Sequence, residues 1–192
     1  AQIRFERRFF PDPFLSVADE KYRALTPPPW LELGRHALVE TMTGFRMSFR
    51  TDAIRRGGFD EALSGYAVDE DIDASFTAMQ SGLVVGARRA EIYHHRCPGG
   101  RGDMYEKGRM EVLNRAYVLL KHASGPLGSA PLLNAIWRRH LVFSALKVGL
   151  MIPGLHRAEG RRRLAGVWAG HRRALSLWRA PIRDRSRLCD MP

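Results

Sequence analysis

Asp69, Glu70, Asp71 and Asp73 place four carboxylates within five consecutive positions. Like charges packed this closely oppose one another's ionisation, so the stretch calls for a cation, a basic substrate or a catalytic proton to account for it. Further on, an apolar run closes in Tyr93-His94-His95. There His94, and after it His95, offers an imidazole as a ligand, the plain alternative being a strand end facing water. Trp30, behind Pro27-Pro28-Pro29, gives a flat face on which a sugar ring stacks, or else a loop anchor. The acidic cluster has a bland reading too, as solvated capping of a helix start, and Asp69 and Asp73 are assigned to it.

The elements that hold these groups follow from periodicity and punctuation. Residues 1–40, broken by Pro11, Pro13 and the triple proline, read mostly as loop with one short helix. Thr41 to Phe49 reads as a strand, and Thr51 to Arg56 as a short helix capped by Thr51 or Asp52 and ended by Gly57-Gly58. Phe59 is assigned to the core and Asp60 to fixing the loop that follows. From Glu70 to Gln80, Ile72, Phe76 and Met79 share one helical face, which puts the carboxylates in the first turn, with Gly82 as the closing cap. Leu83-Val84-Val85 and Ala90 to Tyr93 suggest strands, and Tyr105 to His122 a long helix ended by Gly125-Pro126.

Charge divides the chain. Residues 1–120 hold 17 basic and 17 acidic side chains, whereas 121–192 hold 14 basic and 3 acidic ones. Arginine supplies 27 of the 31 basic residues, and its planar fork grips phosphate at two points. A phosphate-bearing partner, whether lipid, nucleotide or nucleic acid, is therefore expected, with an anionic membrane surface meeting 123–192. Within it, 132–152 is apolar but interrupted by Arg138, Arg139, His140 and Lys147, which leaves no run long enough to span a bilayer. Residues 161–178 place Leu164, Val167, Trp168, Leu175 and Trp178 on one side, with Arg162, Arg172 and Arg173 largely away from it. That pattern describes a helix lying in a membrane interface. Cys97 and Cys189 match neither a zinc spacing nor a disulfide framework.

Thr43-Gly44-Phe45-Arg46-Met47-Ser48-Phe49-Arg50, Gly57-Gly58-Phe59-Asp60-Glu61, Glu70-Asp71-Ile72-Asp73, Gly82 and Tyr93-His94 follow one another in an order and spacing that resembles the acceptor-side half of family 2 glycosyltransferases, inverting enzymes of GT-A fold. The resemblance covers 41–96 most fully and 97–122 less so. It implies an α/β class, with a partial GT-A domain over 1–122, and the α-helical membrane-associating tail over 123–192 is read beside it from composition and amphipathic pattern. It also implies transfer of a sugar from a nucleotide-sugar donor to a hydroxyl of a lipid-linked or cell-envelope glycan, at the cytoplasmic face of the plasma membrane. Asp71 would be the base, Glu70 would orient the acceptor, and Gly44 and Arg46 would line the acceptor site. His94 would meet a divalent cation, Mg2+ or Mn2+, or the diphosphate.

Arg46 stands where the family often has Asn, and Thr77 where it often has Arg, so those contacts do not carry across. No Asp-x-Asp follows an apolar strand, and Asp12 between two prolines is no substitute. The expectation is therefore the second half of a transferase, inactive by itself. Two other classes compete with it. One is a non-enzymatic module binding membrane or anionic polymer through the basic tail, with nucleic acid not expected. The other is a metal hydrolase on Asp69, Asp71, His94 and His95, which lacks the further ligands of a two-metal site.

Overall fold

The computed structural model describes Leu31 and residues 36–39, 41–63, 65, 67–87, 89–95, 102–123 and 130–179. Strand β1 (His36–Leu38) pairs antiparallel with β2 (Val85–Ala87) in the register His36 to Ala87 and Leu38 to Val85. The helices are α1 (Thr51–Gly57), α2 (Glu70–Met79), α3 (Met104–Ala123), α4 (Ala130–Met151) and α5 (Ala158–Arg179). A 3-10 turn, Gly44–Arg46, lies between β1 and α1, and a second, Ile152–Gly154, joins α4 to α5.

Helix α3 is the axis of the molecule, because every residue from Val112 to Leu120 is buried. A helix apolar or screened all round must be covered on more than one side. Phe76 and Met79 of α2 cover one side, joining Leu63, Val84, Tyr117, Val118 and Leu119 in one core. Val167 and Ala174 of α5 cover another, against Val112 and Ala116. The two backbones meet through glycine. A Cβ at Gly108 would overlap the Arg163 carbonyl, and one at Gly166 the Tyr105 carbonyl. One at Gly170 would stand 2.6 Å from the Arg109 carbonyl oxygen. Small residues at such spacing let helices close to backbone contact. Ion pairs reinforce the seam, with Arg163 Nη2 reaching both Glu111 oxygens at 2.7 and 2.8 Å and Arg162 reaching Asp103 at 2.8 Å.

The expected α/β architecture is overturned. Among the described residues the fold is mostly helical and its strands are two of three residues each. Strand-like composition needs a neighbour to take its hydrogen bonds, and among the described residues β2 finds only β1. Thr41 to Phe49 is irregular around the 3-10 turn, and Ala90 to His95 runs exposed without pairing, Tyr93 being 87% exposed. The membrane tail is corrected as well. No helix among the described residues is long and apolar enough to cross a membrane. The apolar side of α5 is divided: Val167 is buried on α3, while Trp168 is 68% exposed.

Local expectations changed too. Phe59 is 49% exposed, meeting Phe49 edge-on instead of entering the core. Arg50 occupies the N-cap of α1, which leaves Thr51 and Asp52 in its first turn, and Gly58 closes that helix at φ 62°. The C-cap of α2 is Gln80, two residues before Gly82.

Candidate functional site

The crowded carboxylates are separated by what each one faces. Asp69, in the left-handed region at φ 69°, caps α2 and sets its side chain 3.7 Å from Arg115 Nε. Asp73 is 1% exposed and takes both Lys121 Nζ at 2.9 Å and His122 Nε2 at 2.7 Å. The solvated reading of these two is thus corrected: Asp73 lies one helical turn inside α2, on the face that packs on α3, and a cation meets it there. Glu70 is exposed. Asp71 remains, half-buried, with no cationic partner among the described residues. Its Oδ2 accepts the Gly44 N–H at 3.0 Å and its Oδ1 the Ile72 N–H at 2.9 Å. Backbone donors at a helix start stabilise a carboxylate anion without neutralising it.

The turn that supplies Gly44 is itself fixed to α2. Ser75 Oγ donates to the Asp71 carbonyl at 2.6 Å and accepts the Met42 N–H at 2.9 Å. Next to Gly44, the Phe45 ring stacks on His94 with centroids 4.1 Å apart and planes 8° apart, while the Arg46 guanidinium sits 5.6 Å from the same ring. Arg46 also lines a cavity of about 450 Å³ with Thr41, Thr43, Ser48, Val85 and Ile92. The structure therefore joins Asp71, Gly44, Arg46 and His94 through one short turn. Glu70 and His95 are exposed beside it, with no partner among the described residues that would aim them, and Trp30 lies outside those residues.

Behind the turn lies a charge network that sequence reasoning missed. Asp60 Oδ1 accepts the Ala62 N–H at 3.0 Å, and its Oδ2 accepts Tyr117 Oη and Lys121 Nζ, each at 2.6 Å. Burial pushes the Asp60 carboxyl up, but the bonds from Lys121, Tyr117 and Ala62 outweigh it and hold it below the ordinary value. Burial likewise opposes the Lys121 charge, and Asp60 with Asp73 overcomes it, so the ammonium is held above its ordinary value. Lys121 and His122 end α3 at positions that read as an ordinary basic last turn. The available signal was Asp73 itself, on the buried side of the Ile72, Phe76, Met79 stripe. Ala67 at φ 47° and Asp69 at φ 69° add backbone strain immediately before α2, of the kind that concentrates at functional sites. Asn114 Nδ2 holds the strained turn by donating to the Val68 carbonyl at 2.9 Å.

A divalent cation needs several converging ligands. Among the described residues no three His, Cys, Asp or Glu side chains converge in that way. No third such ligand stands with His94 and Asp71 among the described residues. These residues alone do not form a cation site. Comparison with protein-family models, with curated proteins and with solved structures found no match to this chain.

Proposed function

We propose that the chain provides the base and the acceptor-side surface for inverting transfer of a sugar from a nucleotide-sugar donor to an acceptor hydroxyl, as on a lipid-linked or envelope glycan. One observation carries this reading. Of four clustered carboxylates, Asp71 alone is aimed at the Gly44 turn, accepting backbone N–H groups on both oxygens and left without a cationic partner among the described residues. The acceptor O–H gives its proton to an Asp71 oxygen as its own oxygen attacks the anomeric carbon from the face opposite the leaving group. The bond from that carbon to the diphosphate breaks, the electron pair leaves with the nucleoside diphosphate, and the configuration inverts. Glu70, exposed at the first position of α2, orients the acceptor. The Arg46 guanidinium, in the cavity wall beside the turn, binds its polar groups.

The test uses the protein made from its own gene. Membranes and extracts of cells carrying wild type or Asp71→Asn are supplied with isotopically labelled nucleotide sugars, and the anomeric configuration of the product is read by NMR. Label transferred with inverted configuration, and lost with Asp71→Asn, supports the reading. Product of retained configuration, or transfer indifferent to Asp71, refutes it.

A further inference from the structure

Helices α4 and α5 leave between them a groove of about 860 Å³ that the sugar-transfer reading does not use. Leu141, Ala145 and Val148 of α4 line it at i, i+4 and i+7, and Leu164 and Trp168 of α5 face them at i and i+4. From Arg161 to His171, which also line it, α5 rises about 15 Å, so the space is long and suits an extended chain better than a compact ring. Apolar clefts of about 300–1,000 Å³ with a few polar groups at the edge are the usual form of small-molecule sites. Trp168 projects at the rim, 68% exposed, and Leu141 is 44% exposed, so among the described residues the lining faces outward and is left open.

The charge around this groove says what covers it. Between residues 130 and 179 there are ten basic side chains and one acidic one, Glu159. Arg162 and Arg163 are engaged by Asp103 and Glu111. Arg161, in the groove wall, gives its Nη1 to the carbonyls of Leu155 and His156, at 3.1 and 3.3 Å, and to no carboxylate among the described residues. Arg138, one turn before Leu141 on α4, and Arg172, next to His171 on α5, are exposed. A slot walled chiefly by apolar side chains, with the Arg161 guanidinium at one end and His171 at the other as its polar groups, is complementary to an amphiphile that joins a hydrocarbon chain to a phosphate. An acidic peptide would meet the arginines but would leave its backbone unsatisfied against the apolar wall.

We infer that the groove between α4 and α5 binds a phosphate-headed anionic lipid, its hydrocarbon chain along Leu141, Ala145, Val148, Leu164 and Trp168 and its phosphate on Arg161. This site stands apart from the Asp71 reading, and either holds if the other fails.

The test titrates the full chain with lysophosphatidylglycerol kept monomeric, following tryptophan fluorescence and calorimetric heat, beside lysophosphatidylcholine and glycerol phosphate. Saturable one-to-one binding of the anionic lysolipid is expected, at least tenfold tighter than either comparator. Trp168→Glu and Ala145→Glu, both at exposed positions, each weaken it tenfold or more with unchanged circular dichroism. Arg161→Gln weakens it and narrows the preference over the zwitterionic lysolipid. Equal binding of lysophosphatidylcholine, whose phosphate is balanced by choline, overturns the anionic assignment, and equal binding of glycerol phosphate removes the groove. A chain that sediments as a dimer until Trp168→Glu makes it monomeric shows a second copy seated there, and overturns the lipid assignment.

Discussion

Replacing Gly170 by alanine separates two effects that glycine substitutions usually combine. In a helix interior the exchange is intrinsically favourable by about 1 kcal/mol, because glycine loses more backbone freedom on folding. At Gly170 the new methyl would stand 2.6 Å from the Arg109 carbonyl oxygen and 3.0 Å from Val112 Cβ, where ordinary contact begins near 3.4 Å. The first of these neighbours is backbone, so α5 must move away from α3 by the better part of an ångström. A gap of that size forfeits a quarter to a half of each dispersion contact along the seam, including those of Val167 and Ala174. Overpacking of this kind costs about 1–3 kcal/mol and spreads from one glycine to the others. After the intrinsic gain, a net loss of about 1 kcal/mol is expected, which lowers Tm by about 2–4 °C in a chain of this length. Gly149, inside α4, is the control, because a methyl added there would have nothing within 4 Å. Gly149→Ala is expected to raise Tm by about 2–4 °C. Thermal unfolding followed at 222 nm decides it. A Gly170→Ala protein that melts at or above wild type contradicts the helix seam described here.

Three further expectations concern the turn, the network behind it and the response to pH. Asp73→Asn keeps the shape but removes the charge between Lys121 and His122, and urea unfolding is expected to show a loss of about 2–3 kcal/mol, less than for a fully orphaned buried pair because Lys121 retains Asp60. Ser75→Ala unties Met42 N–H and the Asp71 carbonyl from one another and is expected to cost about 1–3 kcal/mol, with faster amide exchange at Met42 and Gly44 as its signature. Stability is expected to fall in acid. Asp60 is held below its ordinary carboxyl value, so its contribution is complete above the unfolded value of 3.8 and is lost as pH falls through the folded one. Burial holds His171 below 6.5, so its contribution also begins to fail as pH drops under that value. Lys121, raised above 10.5, loses its contribution only as pH rises through its folded value, so the same titration should show no loss between neutrality and pH 10 from this group.

Helices were legible where an apolar stripe recurred at helical spacing. Phe76 and Met79 lie on the buried side of α2 as their period requires, and the long helix ends near His122 as its punctuation requires. Strands were not, because Leu83 to Val85 and Ala90 to Tyr93 have strand-like composition whichever partner they find, and pairing is a tertiary fact. The charged residues were legible as a cluster but not as individuals. Helical geometry sends Asp73 to the interior and leaves Asp71 at the surface two residues away, and only the position of α3 shows that Lys121 and His122 wait there. In α5 the sequence shows an apolar side but not its division: glycines at 166 and 170 draw it onto α3 and turn Trp168 outward. The link from Gly44 to Asp71 joins groups 27 residues apart and rests on a backbone N–H, which no side-chain pattern reveals.

The central claim, that Asp71 removes the acceptor's proton, is tested most directly by single-turnover transfer with the protein from its own gene, comparing wild type, Asp71→Asn and Asp71→Glu. A positioned base contributes about 10²–10⁴-fold. Loss of that order in Asp71→Asn, with donor affinity and circular dichroism unchanged and partial recovery in Asp71→Glu, is the predicted result. An Asp71→Asn protein that transfers sugar within threefold of wild type contradicts it.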